Sequence, residues 1–296
     1  MNRKEFGKLI ATLREEHIEF SARGMGLWTQ SKLAKEANLA EKTIAQLEQG
    51  KKMNLDPQTL TQLARALKLT AGEQVELYTA AAEVDAAPHK TIRDRSEETL
   101  RTLLRLLGDV RVPAYLHDPY ANVIAGNTIV TELLSVPESM LQNASAFASG
   151  FNLIRFVFSP QSPFRAMLGE HWFARATSIV LFFRMTSLKY RYTPRFKAIL
   201  AEVSEYPSFR DIWFNTQIYA EEMTFEWSSY EYIHPTYGAV SFISHVSATL
   251  TSEGALYLVT FLPRTRQTSE AVETMISRKG IGVQKLIAWP YEAEER

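Results

Sequence analysis

The sequence predicts an α+β protein in two parts: an N-terminal five-helix bundle, then a domain with a five-stranded antiparallel sheet and flanking helices. Three observations predict it. Apolar residues recur at helical spacing from Phe6 to Tyr78, with capping residues at the joints. Periodicity breaks over 84–96, a polar stretch that holds Pro88. Beyond it come two short strand-like runs, a mainly helical middle, and three runs rich in Tyr, Phe, Thr, Val and Ile. With 296 residues, 46% of them hydrophobic, the chain can build two cores. The expected partition is 1–83, a linker at 84–96, a second domain at 97–265 and a C-terminal extension at 266–296.

The first helix runs from Arg3 to about Glu16, with Phe6, Leu9, Ile10 and Leu13 on one face. The insert from His17 to Leu27 is longer than a tight connection needs. Arg23 and two glycines leave open a wing that reaches phosphate, beside the plainer use as a flexible solvated loop. Thr29 is a good N-cap, and Leu33, Ala34 and Ala37 then share a face. Asn38 tolerates the left-handed backbone that a sharp turn between helices demands, and Leu39 plugs the corner. A short helix from about Ala40 to Gln49 points Ile44 and Leu47 inward, and Gly50 stops it. Asp56 and Pro57 open a fourth helix as N-cap and first residue, with Leu60, Leu63, Ala64 and Leu67 as its buried stripe. Thr70 caps a fifth, Ala71 to about Ala82, from which Val75, Leu77 and Tyr78 pack back on the bundle.

What the third helix leaves on its outer face is Glu41, Lys42, Thr43 and Gln46, all able to hydrogen-bond to base edges. Gln can grip adenine with both ends of its amide, Lys can donate to guanine, and Glu can accept from cytosine. The run from Ala40 to Lys52, with Ile44, Leu47, Glu48 and Gly50 on the pattern TxxxIxxLExGxx, resembles the recognition helix of Cro-type phage repressors and the wider xenobiotic-response-element family. That resemblance implies that Glu41, Lys42, Thr43 and Gln46 face the major groove. It also implies that Gln30, Lys51 and Lys52 hold phosphates. The plain alternative is a helical hairpin with a solvated polar face. Charge alone does not reveal a DNA partner, because the whole chain has a formal net charge of zero. Between Arg23 and Lys52 the basic residues Arg23, Lys32, Lys35, Lys42, Lys51 and Lys52 outnumber Glu36, Glu41 and Glu48. So modest an excess suits a few phosphate contacts plus base readout, doubled by dimerisation.

The second domain opens with a helix from Glu97 to Leu107, whose stripe Leu100, Leu103, Leu104 and Leu107 must be buried in that domain or against a partner. Val112 to His117 and Asn122 to Ala125 bracket the turn Asp118, Pro119, Tyr120 as a hairpin. Helices follow near Asn127 to Leu134, Pro160 to Gly169, Trp172 to Leu188, Arg195 to Ser204 and Ser208 to Ile218. Strands return at Glu222 to Ile233, Tyr237 to Leu250 and Ala255 to Leu262, with Ser252 to Gly254 turning between the last two. Two strands, helices, then three strands is the order of a PAS domain.

The blocks PAYLHDPYANVIAGN (113–127), NLIRFVFSP (152–160), the region 172–175, RFKAILAEVSEYPSFRDIW (195–213) and HPTYGAVSF (234–242) resemble the ligand-binding domain of MmyB-like transcription regulators. In that family it follows a Cro-type helix-turn-helix, as here, and the similarity covers roughly 3–265. The resemblance implies a PAS-like fold and a one-component regulator with ligand-responsive DNA binding. Residues 267–296 lie outside it; SEAVETMISRK reads as a helix, and with VQKLIAWP it either covers the sheet or mediates pairing.

The residues argue for an apolar ligand. Trp172, Ala176, Ile179 and Phe183 share a face of the long helix, and Phe151, Phe156, Phe164 and Met167 precede it. Such a stripe also serves as plain core. Arg155, Arg175 and Arg184 are placed to anchor a carboxylate, or to pair with acidic neighbours. A fatty acid or similar acyl compound leads, with Phe151, Arg155, Phe156, Met167, Trp172, Arg175, Ala176, Ile179 and Phe183 as candidate contacts. Haem is an alternative through His117, His171 or His245, and His234 before Pro235 reads as a turn residue. A second alternative is a domain that only dimerises.

No residue is cysteine, which removes disulfides, thioester-linked chromophores and flavin–thiol adducts. HExxH, paired-histidine and clustered-carboxylate patterns do not occur, no GK[ST] follows the glycine pairs at 24–26 and 280–282, and no serine nucleophile elbow is written. The expectation is a non-enzyme without a metal or fixed cofactor. The N-terminus MNRKEFGKLI lacks the apolar run of a signal peptide, and the longest strongly apolar stretch is Ile179 to Phe183, so the protein is expected in the cytoplasm.

Overall fold

The computed structural model describes residues 1–21, 24–51, 55–85, 95–142, 150–215 and 229–291, with side chains described outside 18–25 and 85. The chain divides into two compact units. Unit 1 takes Met1–Lys90, Leu181–Lys197 and Asn215–Glu221; unit 2 takes the remainder.

Unit 1 begins with α1 (Arg3–Glu15), opened by a capping box in which Asn2 accepts from Glu5 N–H and Glu5 from Asn2 N–H. The insert that follows is not a solvated loop. It forms an antiparallel hairpin, β1 (Ile18–Ser21) and β2 (Gly24–Leu27), in register from Ile18 opposite Leu27 to Ser21 opposite Gly24. Four paired residues per strand are too few for a period-2 signal to stand out in a sequence. Then come α2 (Gln30–Ala37), α3 (Glu41–Glu48), α4 (Pro57–Ala66) and α5 (Ala71–Asp85). Phe6, Leu9, Ile10, Leu33, Ile44 and Leu63 form the heart of the bundle. Asp56 caps α4 by accepting from Thr59 N–H at 2.8 Å. Thr70 and Glu73 make a second capping box at α5, with Glu73 Oε2 accepting from Thr70 N–H at 2.8 Å. On α5, Leu77 is buried and Tyr78 packs on the core, but Val75 is 60% exposed, because it falls outside the narrow stripe that faces the bundle.

Unit 2 contains α6 (Ser96–Asp109), β3 (Ala114–His117), β4 (Val123–Asn127), α7 (Thr128–Leu133), α8 (Glu138–Gln142), α9 (Leu153–Phe158) and α10 (Phe164–Leu168). α11 (Trp172–Ser187) follows and passes into unit 1; α12 (Pro194–Val203) likewise straddles the division, and α13 (Pro207–Phe214) returns to unit 2. The chain closes with β5 (Ser229–His234), β6 (Gly238–Thr251), β7 (Gly254–Pro263), α14 (Arg266–Lys279) and β8 (Val283–Lys285). The sheet is antiparallel throughout, in the order β5-β6-β7-β3-β4-β8. The class is α+β as expected, but among the described residues this sheet has six strands rather than five. The sixth comes from the C-terminal extension, where Val283–Lys285 adds to the β4 edge. A three-residue strand carries no periodicity, so VQK is visible only through its pairing.

Successive residues alternate between the sheet's two faces. Leu116 and Leu258 sit opposite each other on the face covered by Leu107 of α6 and by Trp289, and Leu100, Leu103 and Leu104 pack there too. The leucine stripe of α6 thus packs within unit 2, with Leu107 buried and Leu100, Leu103 and Leu104 half-buried. Tyr115 and Phe261 point the other way, towards α7–α10. No helix among the described residues is long and apolar enough to cross a membrane.

Candidate functional site

In unit 1 the predicted turn geometry is realised residue by residue. Thr29 Oγ1 accepts from Lys32 N–H at 3.1 Å, and Asn38 ends α2 in the left-handed region at φ 53°, ψ 45°. Leu39 packs on the core between the helices. Ile44 and Leu47 are buried, while Glu41, Lys42 and Gln46 are exposed on one face of α3 and Thr43 is half-buried beside them. Gly50 has φ +67° and touches α1; a Cβ there would stand 3.0 Å from the Arg3 carbonyl oxygen. Lys51 is exposed just past it, and Lys52 and Arg23 fall outside the residues described with side chains.

The orientation of α3 is set by α1. Gly7 lies so close that a Cβ would be 2.5 Å from the Glu48 carbonyl oxygen and 2.6 Å from that of Leu47. Arg14 grips the Glu48 carboxylate with both arms, Nε at 2.7 Å and Nη2 at 3.1 Å, and donates Nη1 to the Trp28 carbonyl at 2.5 Å. The same carboxylate accepts from Gln30 Nε2 at 2.8 Å. Gln30, expected at a phosphate, is therefore bonded within the protein at the mouth of α2. One carboxylate ties α1, α2 and α3 together, which positions the exposed face of α3 without occupying it.

In unit 2 two cavities lie between the sheet and the helices. The first is lined by Leu133, Leu134, Met167, Tyr230, Phe242 and Phe261, among others, and its free room is about 10 Å³. The second, about 30 Å³, is lined by residues that include Tyr115, Val123, Val130, Leu134, Phe151 and Phe156. Leu134 borders both, and among the described residues no charged side chain lines either. That room holds little more than the centre of one water molecule each. An open groove adjoins the first cavity, sharing Met167, Leu168 and Tyr232 with it and carrying His171, Glu231 and Gln267 on its walls.

Of the expected ligand contacts, Phe151, Phe156 and Met167 line these cavities. Trp172 stands behind them, donating its indole N–H to the Val157 carbonyl at 3.2 Å and meeting Phe158 edge-on. Ala176 is buried and Ile179 half-buried on the same helix, away from both cavities. Phe183 belongs to unit 1 and stacks on Phe196. None of the three arginines lines either cavity. Arg155 is buried against Glu202 at 3.2 Å, Arg175 lies over the Tyr230 ring at 3.6 Å and donates to the Ser229 carbonyl, and Arg184 is buried against Glu73 in unit 1. Carboxylates withdrawn from water need cationic partners, and Glu202 and Glu73 claim Arg155 and Arg184. Tyr115, Leu134, Tyr230 and Phe261 were missed as lining residues. Strand alternation around Tyr115 and Phe261 is the signal that identifies the sheet positions.

The wall carrying Phe151 and Phe156 is fastened by the hairpin turn. The buried Asp118 carboxylate accepts from Tyr120 N–H and Asn122 N–H, each at 2.8 Å, and from the Tyr291 hydroxyl. Asn152 donates to Asn122 at 2.8 Å and caps α9 by accepting from Ile154 N–H at 2.9 Å. His117 Nδ1–H donates to the Asp118 carbonyl at 2.7 Å and its ring stacks on Tyr257; burial lowers its pKa to about 4. His234 Nδ1 accepts from Thr236 and Tyr237 N–H, the turn role expected of it. None of His117, His171 and His245 lines the apolar cavities.

Residues 96–275, more than half of the chain, match the family model of the MmyB-like transcription regulator ligand binding domain. Residues 21–74 match a helix-turn-helix model. No curated protein matches the sequence.

Proposed function

This chain belongs to the MmyB-like transcription regulators, and on that premise we propose that it is a cytoplasmic, non-enzymatic switch. It acts as a homodimer, binds a double-stranded DNA operator through α2 and α3, and is set by a fatty acid or similar acyl compound held between the sheet and α7–α10. Gln46, Lys42, Glu41 and Thr43 read base edges, and Lys51 and Lys52 hold phosphates. Two recognition helices read half-sites about one DNA turn, ~34 Å, apart.

The observation that carries the ligand class is the make-up of the cavities among the described residues: aliphatic and aromatic walls, no charged lining residue, and Leu134 shared by both. Free room of about 10 and 30 Å³ is far below that of a filled ligand site. A ligand therefore enters by parting the walls and joining the two cavities at Leu134. Phe151, Phe156 and Met167 contact it, and Trp172 backs the wall.

Native mass spectrometry of the purified chain is expected to show an adduct of acyl-chain mass. Palmitate added to stripped protein is expected to change affinity for a duplex selected from a random pool by about fivefold or more. If no such adduct forms and the change stays below about twofold, the tight packing of the cavities favours the second reading, a domain that only dimerises.

A further inference from the structure

Helix α11 is continuous from Trp172 to Ser187, yet residues up to Val180 belong to unit 2 and Leu181–Lys197 to unit 1. Within unit 1 this segment is deeply fixed. Leu188 is part of the bundle core, and Gly72 makes room for Met185, whose Sδ would stand 2.9 Å from a Cβ at that position. Arg191, 0% exposed, donates Nη1 to Glu16 at 2.9 Å, and Nη2 to Glu73 and to the Arg184 carbonyl at 3.1 Å. Arg184 reaches the same Glu73 oxygen at 2.9 Å. Two guanidiniums thus meet two carboxylates, Glu73 fully buried and Glu16 mostly so. Such a set is stable only when complete, because withdrawing one member leaves an uncompensated buried charge.

Both carboxylates sit at informative places. Glu73 belongs to the capping box of α5, and Glu16 is the C-cap of α1, two residues beyond the Arg14 that grips Glu48 of the recognition helix. At its other end α11 begins just after Phe164 and Met167, which line the first cavity, and its Arg175 covers the cavity residue Tyr230. We propose that α11 is the coupling element of the switch, with the Glu16–Arg191–Glu73–Arg184 cluster as the joint that carries cavity occupancy to α1 and, through Arg14 and Glu48, to α3. This rests on the ligand-responsive reading above, and it adds that residues 181–197 complete the DNA-binding unit.

Two variants of the full chain cut the joint while keeping it neutral. One is Glu16→Gln with Arg191→Met, which frees α1 and leaves Glu73 to Arg184. The other adds Glu73→Gln and Arg184→Met, and serves if circular dichroism shows the first to be unfolded. In the wild type, binding of a selected duplex should slow hydrogen exchange of amides 172–180 at least threefold, and palmitate should shift duplex affinity. In the variants both effects should vanish while affinity for duplex alone and for palmitate alone stays within twofold. If duplex leaves amides 172–180 unchanged in the wild type, or protects them equally in the variants, the proposal is overturned. If palmitate has no effect on duplex affinity but the exchange response is present in the wild type and lost in the variants, the coupling stands and it is the ligand assignment that fails.

Discussion

Arg191→Met is the sharpest probe of the buried cluster. At an effective dielectric near 20, opposite charges about 4 Å apart attract by ~4 kcal/mol. Arg191 faces two carboxylates at hydrogen-bonding distance, while Arg184 repels it and supplies Glu73 with a second partner. After the substitution Glu73 retains Arg184 and Glu16 loses its guanidinium. The expected cost is ~3–5 kcal/mol, as for other buried pairs broken from one side. Adding Glu16→Gln removes the stranded charge and should recover ~1–3 kcal/mol, although it deletes a further polar group. Burial already pushes the Glu16 carboxyl up against the opposing pull of Arg191. Without Arg191 it rises further, and a raised carboxyl stabilises the fold below its unfolded pKa and loses that contribution as pH rises through the folded value. The deficit should therefore be largest at neutral pH and shrink towards pH 5. Glu73 runs the opposite way. Burial opposes its charge, but Arg184 and Arg191 hold it down at about 2, so its contribution is present above pH 4.5 and fades as pH falls towards 2. Urea unfolding by circular dichroism, with exchange of α1 and α5 amides to isolate unit 1, measures the cost. A loss below ~1 kcal/mol for Arg191→Met, or no recovery on adding Glu16→Gln, would refute the electrostatic argument.

Three other outcomes are expected. Gly7→Ala inserts a methyl 2.5 Å from the Glu48 carbonyl oxygen, so α1 and α3 must separate, at ~1–3 kcal/mol of stability and a loss of duplex affinity measurable by fluorescence anisotropy. Lys42→Ala and Gln46→Ala leave the core untouched and should each weaken the selected duplex by ~1–3 kcal/mol while relaxing base preference at one position in a repeated selection, with palmitate affinity unchanged. His117 is held neutral by burial, its pKa moved from 6.5 to about 4, so the stability it lends is full above pH 6.5 and lost on acidification, by roughly 3 kcal/mol at pH 4. Melting curves at pH 7 and 4.5 for the wild type and His117→Gln should show the variant with the flatter dependence, and equal slopes would contradict it.

The parts of the fold legible in the sequence are those written by local rules. Asn38 at a left-handed corner, Gly50 at a helix stop, Thr29 and Asp56 as caps, and Ile44 and Leu47 facing inward each follow from a few neighbours. Where every residue is buried, contrast disappears: α9 is buried on all sides, from Leu153 to Phe158, so no helical period marks it. The allegiance of residues 181–197 is a matter of long-range pairing, Arg191 with Glu16 and Glu73, that no window of sequence reports. The same holds for the arginines taken as ligand anchors. Arg184 has the right spacing and a nearby aromatic stripe, but its charge is claimed by a carboxylate more than a hundred positions earlier.

The sheet and the helical wall that enclose the cavities are unequally able to give way. Behind the sheet, Leu107, Leu116, Leu258 and Trp289 form a packed layer, and β8 extends the ladder from the β4 edge. The Asp118 turn binds that layer to the cavity side through Tyr291, Asn122 and Asn152. Moving β6, β7, β3 or β4 breaks cross-strand bonds on both sides of it. The opposite wall is made of short helices, five or six residues each in α7, α9 and α10, without the cross-strand ladder that ties the sheet. A ligand that must create its own volume therefore displaces α10 and the adjoining turn of α11 before it displaces β3 or β7. That direction of least resistance leads into the one helix whose far end is buried among Glu16, Glu73 and the core of the DNA-binding unit.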